Sequence, residues 1–388
     1  MKSLRDASTE LILTMCYEDL ALSAVIQREG QTLSFGAATR FQLVESGEVE
    51  LLGKIKTRQI KTFNGENVQQ ELEQLIKHQI QPWMENCREQ HADHESCGTK
   101  YNASNLPSRL VDVGEINDRL VKLVEVKSCT NSQDFSYLIL SYCWGDGNEN
   151  SETTENNLET RLRGFAVSAL PKTIRDAIVL TRMMGFRYLW VDAMCIVQGP
   201  SGDFHSEAPK MGEYYSNSAC CISASAANDS QKGLLTERPL ARFPMDGIAI
   251  RIARPHTDEP GHSIFKAIDN SSCRKESLFE LPLTKRGWCS QEAVLAKRIL
   301  HWTLQGLYLE CQSSLFLEDT KVPWEDPFFN ESSTPRGIMA MPHKDILFSE
   351  GWYQLVSQFS KMQLTYETDR LYAIHGLASV VIQRLKAE

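Results

Sequence analysis

The chain has 388 residues, room for two or three structural units at roughly 150 residues each, and its 42% hydrophobic and 23% charged content is ordinary for a globular protein with a real core. A net charge of −9 argues against a general nucleic-acid binder, which would carry a basic face. No apolar run reaches the roughly 20 residues of a membrane helix, no secretory segment opens the chain, and 11 scattered cysteines fit reduced thiols, so the expectation is a cytoplasmic protein without a membrane segment.

In chain order, residues 1–65 show only patchy strand-like alternation, at 31–41 and 48–62, and read as a small β-containing region. Residues 67–87 form a helix candidate, with Val68, Leu72, Leu75, Ile76 and Trp83 near one face. It leads into Cys87, His91, His94 and Cys97, four metal-ligating side chains within eleven residues that invite a zinc reading. Their spacing matches no standard finger, and the alternative is a buried cysteine pair with exposed histidines in a polar loop. Segments 106–114 and 121–126 look like short strands joined by a polar turn.

The run 137–142, Tyr-Leu-Ile-Leu-Ser-Tyr, is compact and mostly apolar, as expected for a strand buried on both faces, and it ends in Cys143, Trp144, Gly145 and Asp146. A polar surface loop follows, 147–163. Residues 170–185 give the clearest helix. Pro171 stands at its start, Thr173 with Asp176 makes a capping box, Ile174, Ala177, Ile178, Thr181 and Met184 share one face, and Gly185 stops it. Residues 188–191 are again a buried-strand run, ending at Asp192. Strand, helix and strand with tight connections make a βαβ unit, so the two strands are expected to be parallel. A shorter helix at 208–217 turns Met211, Tyr214 and Tyr215 inward, and 219–225 is a third strand. Residues 226–280, with Pro239, Pro244, Pro255 and Pro260, read as an irregular insertion over the sheet edge.

Gly287 breaks what precedes it, and a helix opening at Ser290 places Glu292 on its first turn, with Arg286 and Trp288 close by. Segments 298–302 and 307–311 alternate around Gly306 and read as an antiparallel hairpin. After a loop at 318–344, Trp352, Leu355, Val356, Phe359 and Met362 mark an amphipathic helix, and Asp369 caps a last one through Leu371, Ile374 and Leu377. No closing element follows, which leaves open that the natural chain continues past Glu388.

Ligands of open α/β sheets bind at the carboxyl ends of the parallel strands. Two such ends carry polar or aromatic groups: Ser141, Tyr142, Trp144, Gly145 and Asp146 at one, Asp192 at the other. Gly145 lets backbone approach a ligand closely. Glu292, brought to that edge with Arg286 and Trp288, would set a carboxylate among rings, which suits a flat, cationic or sugar-bearing ligand. One carboxylate able to stabilise an oxocarbenium-like centre, or to hold a ribose hydroxyl, is what cleavage of an N-glycosidic bond needs when the leaving group is good. The plain structural alternative is a helix N-terminal acid worth under ~1 kcal/mol. A thiol enzyme using Cys289 with His301 is a third reading. No glycine-rich phosphate loop is present.

Four ordered motifs are similar to the fungal heterokaryon incompatibility (HET) domain: Leu-Ser-Tyr-Cys-Trp-Gly at 140–145, Leu-Pro-Lys-Thr-Ile-Arg-Asp-Ala-Ile at 170–178, Tyr-Leu-Trp-Val-Asp-Ala-Met-Cys-Ile-Val-Gln at 188–198 and Arg-Gly-Trp-Cys-Ser-Gln-Glu at 286–292. Segments 106–113 and 369–377 resemble its flanks. Through a distant likeness to TIR domains, the resemblance implies an α/β fold with a flavodoxin-like parallel sheet flanked by helices, hairpin and loop insertions, and an extra N-terminal region. The chain then divides into 1–105, a HET domain at 106–315 and a helical extension at 316–388. The same resemblance implies Glu292 as catalytic residue, release of nicotinamide from NAD as the reaction, NAD as substrate with no cofactor required, and regulated cell death as the setting. The alternative it carries is a non-catalytic death-signalling module that acts by self-association or through a signalling partner.

Overall fold

The fold is that of a computed structural model, which describes Phe63 and residues 67–90, 102–128, 134–238, 281–303, 306–311, 314–318, 335–339 and 350–386, together with six strands known by backbone alone in 9–52 and 248–267. The chain divides into two compact units, Met1–Ile60 with Pro239–Phe279, and Lys61–Arg238 with Glu280–Glu388. This differs from a division at 105 and 315: the helical segment after residue 67 and the C-terminal helices belong to the larger unit.

In the smaller unit, Thr9–Cys16, Ala21–Arg28 and Gln31–Ala38 pair as an antiparallel meander. Val49–Leu52 pairs with Ile248–Ala253, which pairs in turn with His262–Ala267. The insertion read as irregular therefore supplies two strands to a sheet begun by the N-terminal residues.

The larger unit is built on nine strands: β1 (Arg109–Asp112), β2 (Leu120–Glu125), β3 (Tyr137–Ser141), β4 (Phe165–Ala166), β5 (Tyr188–Trp190), β6 (Cys220–Ser223), β7 (Arg298–Thr303), β8 (Gly306–Cys311) and β9 (Leu315–Leu317). Their order is β9-β8-β7-β6-β3-β5-β1-β2-β4. Only the central four, β7-β6-β3-β5, are parallel, and within them β5 and β6 both flank β3. The sheet is therefore mixed, with parallel strands at its centre and antiparallel strands on both flanks. β1 joins β5 antiparallel on one side and β8 joins β7 antiparallel on the other; β7 and β8 form a hairpin closed by a short connection, whereas β1 and β5 are far apart in the chain. The mostly apolar runs in β3 and β5 follow from their place: every residue of both is buried.

Helix α1 (Lys172–Met183) supplies the crossover from β3 to β5 and buries Ile174, Ala177, Ile178 and Thr181, as its periodicity predicts. Its capping box does not form. Thr173 Oγ1 accepts from Gly233 N at 3.0 Å, and Asp176 accepts from Leu234 N at 2.8 Å, Leu235 N at 2.9 Å and Lys172 Nζ at 2.7 Å. These side chains hold the loop after β6 instead of their own helix. Helix α2 (Met211–Asn217) precedes β6 and buries Met211, Tyr214 and Tyr215.

Helix α3 (Gly287–Leu295) begins three residues before the expected start. Arg286 is extended, and Gly287 N donates to Gln363 O at 2.7 Å, so the break falls between them. Glu292 therefore lies in the helix body and not on its opening turn, which corrects the sequence reading and removes the helix-end explanation of that acid. The helix is apolar and buried on most of its circumference, as one enclosed on several sides must be. Two C-terminal helices, α4 (Trp352–Ser360) and α5 (Arg370–Lys386), enclose it. Gly212 of α2 and Gly376 of α5 meet backbone to backbone: a Cβ on Gly376 would lie 3.0 Å from Gly212 Cα and 2.5 Å from Gln291 Oε1. Only glycine permits that approach.

Candidate functional site

Ser141 is the last residue of β3 and donates its hydroxyl to Glu292 Oε2 on α3, so an acid 151 positions away reaches the carboxyl end of the central strand. Both side chains are buried. Burial pushes the Glu292 carboxyl up to about 7; Ser141, Arg286 and Tyr215 of α2 favour its charged form, and Asp192 opposes it. Taking a carboxylate out of water disfavours ionisation, and here the compensating hydrogen bonds are too few to reverse it.

Asp192 follows β5 at the neighbouring strand end. Its Oδ2 accepts from Trp144 Nε1 at 2.9 Å and its Oδ1 from Ala193 N at 2.7 Å. Burial raises this carboxyl as well, to about 6. The charge facing both acids is Arg286, whose Nη1 donates to Tyr142 O at 2.8 Å. One guanidinium thus lies within electrostatic reach of both carboxylates, anchored through the backbone at the end of the strand that carries Ser141. Such a pair of acids with one cation is suited to hold hydroxyls, to stabilise positive charge and to move a proton near neutral pH.

Of the residues singled out in the sequence, the fold gathers Ser141, Trp144, Asp192, Arg286 and Glu292, with the Tyr142 carbonyl accepting from Arg286. The Tyr142 ring turns inward, its hydroxyl donating to Asn148 Oδ1 at 3.2 Å. Gly145, at φ +61°, packs against Asp229, so its close approach is to the 228–229 loop. Asp146 is exposed on that turn. Trp288 is half-buried and edge-on to Phe204, with centroids 6.0 Å apart, in an aromatic group that includes Tyr372 of α5. Tyr215 and Asn148 were not singled out. The inward face of the 208–217 helix was legible, but not that Tyr215 meets Glu292.

Cys289 and His301 do not meet. Cys289 packs with Cys143 and Leu283, and burial drives its thiol well above the ordinary value, so it lacks the thiolate a nucleophile needs. His301 is engaged by Ser225 and Glu310. Of the four metal-ligand candidates, His91, His94 and Cys97 lie outside the described residues, and Cys87 is buried, accepting from Arg298 Nε at 3.1 Å and packing on Cys311. Among the described residues no group of three or more His, Cys, Asp or Glu side chains is placed to hold a metal, and no helix is long and apolar enough to cross a membrane.

A search of curated proteins and a search of solved structures return no significant match. The family model described as heterokaryon incompatibility protein (HET) matches residues 137–292. That span runs from the first residue of β3 to Glu292 itself, so its two ends meet in the Ser141–Glu292 contact. Residues 137–292 thus form a HET domain, which implies a function related to heterokaryon incompatibility and cell death.

Proposed function

We propose that this protein is a nicotinamide-releasing NAD glycohydrolase of TIR-like type acting in regulated cell death, with Glu292 as its catalytic residue. The observation that carries the reading is the buried Glu292 carboxyl, pushed up to about 7, on the Ser141 hydroxyl at the end of the central parallel strand. An acid held there is a strong hydrogen-bond acceptor when ionised. It grips a ribose hydroxyl and stabilises the positive charge that grows at the anomeric carbon as the C–N bond lengthens. Nicotinamide leaves as a neutral base, so no strong general acid is required. Asp192, fixed by Trp144, and Arg286 hold polar groups of the substrate on the same rim.

The substrate approaches where Trp144, Asp192 and Arg286, each partly exposed, reach the surface. The test is chromatography of NAD over time with concentrated protein: free nicotinamide accumulates with the natural chain and fails to with Glu292→Gln. Full turnover in that variant would remove Glu292 from the mechanism.

A second reading, a death-signalling module acting by homotypic assembly, is favoured by the exposed Tyr353, Tyr366, Leu371 and Ile382 on the C-terminal segment. It predicts that Glu292→Gln keeps toxicity in cells while polar changes at Tyr353 and Leu371 abolish it.

A further inference from the structure

Ser223, at the end of β6, is in register with Ser141 on one side and with His301 of β7 on the other. The three residues stand side by side across adjacent parallel strands, each about 4.8 Å from the next. Beyond Ser223 the chain turns, and Ser225 Oγ lies 2.8 Å from Ser223 Oγ and 3.2 Å from His301 Nδ1. His301 Nε2 lies 2.9 Å from Glu310 Oε2 on β8, and Arg336 Nε lies 3.4 Å from Glu310 Oε1. Burial pushes the Glu310 carboxyl up, but Arg336 and His301 outweigh it and hold it below the ordinary value. An ionised Glu310 accepts a hydrogen bond from His301 Nε2–H, which leaves Nδ1 as the basic nitrogen, facing the Ser225 hydroxyl. A hydroxyl, a base and an orienting carboxylate in sequence are the parts of an activated serine.

We propose that Ser225 is an acceptor for the ribosyl group released at Glu292, so that the protein modifies itself on this serine; the inference rests on the glycohydrolase reading. In the step, the bond between the ribose anomeric carbon and the nicotinamide nitrogen breaks, and its electron pair leaves with neutral nicotinamide. Ser225 Oγ forms the new bond to that carbon, and its proton passes to His301 Nδ1, where Glu310 balances the charge. The product is an O-linked ADP-ribosyl serine, and no further reactant is needed. Ser225 is almost completely buried, so bulk water competes poorly for the electrophile at this end of the row.

The experiment incubates the full chain with NAD and follows nicotinamide release alongside mass analysis of the intact protein and its peptides. The expected result is one ADP-ribosyl adduct on Ser225. It should be stable to neutral hydroxylamine, because an O-glycoside resists it whereas an ester to Glu292 or Glu310 is cleaved. Ser225→Ala should lose the adduct, and His301→Gln should reduce its rate at least about tenfold, the usual contribution of a general base being larger still. Melting curves establish that both variants fold, and the natural chain alone decides the matter if either does not. Nicotinamide released with no adduct, or with a hydroxylamine-labile one, overturns the acceptor role and leaves the glycohydrolase reading standing. No release of nicotinamide removes both.

Discussion

Two buried carboxylates, Glu292 and Glu318, differ in how fully their lone pairs are filled. Glu292 is 5% exposed and Glu318 2%. Glu318 takes a two-pronged bond from Arg238, at 2.7 and 2.9 Å, and a third from Leu307 N at 2.8 Å. Arg238 in turn lies over the Phe63 ring, 4.6 Å from its centroid, and Phe63 stacks on Trp302. Glu292 has a serine hydroxyl, a neighbouring tyrosine and a share of one arginine. Similar burial thus comes with very different sets of donors. A carboxylate whose lone pairs are filled by a fixed cation is spent on structure. One left short of donors keeps basicity for a substrate.

The sharpest way to break this comparison is Glu292→Gln, which should lower NAD turnover by about a hundredfold or more while leaving the melting temperature unchanged or higher. Turnover is read by nicotinamide release and stability by thermal unfolding. The mirror-image change, Glu318→Gln, should cost about 3–5 kcal/mol of stability, since it leaves the Arg238 charge buried without its ionic partner. Replacing both with Met and Leu should recover most of that loss. A melting temperature unmoved by Glu318→Gln would mean that the pair is not the staple described.

The third effect depends on pH. The Glu292 carboxyl sits at about 7 in the fold against 4.5 in an unfolded chain, so the folded state binds that proton more tightly. Its contribution to stability is complete below pH 4.5 and is lost as pH rises through about 7, a loss on the order of a few kcal/mol. If the proposed glycohydrolase reading holds, NAD turnover, which on that reading needs the anion, should rise over the same interval. Denaturant titrations at several pH values should show the slope in the natural chain and a flatter profile in Glu292→Gln.

Arg336→Ala comes next. Arg336 donates to Ala293 O at 2.7 Å and Ala296 O at 2.9 Å, the carbonyls that end α3, and faces Glu310. Its loss should cost about 1.5–3 kcal/mol in chemical unfolding. The smallest change is Trp144→Phe, which removes the Nε1–H donor from Asp192, weakens the fold by about 1 kcal/mol and moves the Asp192 carboxyl further up from about 6. Carboxyl NMR titration would measure that shift.

Most of the local structure was legible. The burial of β3 and β5 was written in compact, mostly apolar runs, α1 in its 3.6-residue periodicity, and the β7–β8 hairpin in its alternation around Gly306. The errors fall where a distant segment wins over a local signal. Thr173 and Asp176 suit a capping box, yet both bind the loop at 233–235. Glu292 suits a helix opening, yet the segment after α4 pairs with Lys285 and Gly287 and starts α3 earlier. Two strands were missed in 226–280 because their partner begins at Val49, far away in the chain.

By itself the sequence determined the periodic elements, the βαβ unit and the residues of the HET motifs, because backbone sterics and hydrophobic spacing act between near neighbours. Only the tertiary structure decided that the sheet is mixed, that Glu292 shares Arg286 with Asp192, and that His301 answers to Ser225 and not to Cys289. Strand order and the desolvation of a charge belong to contacts across the whole chain, and no stretch of residues carries them alone.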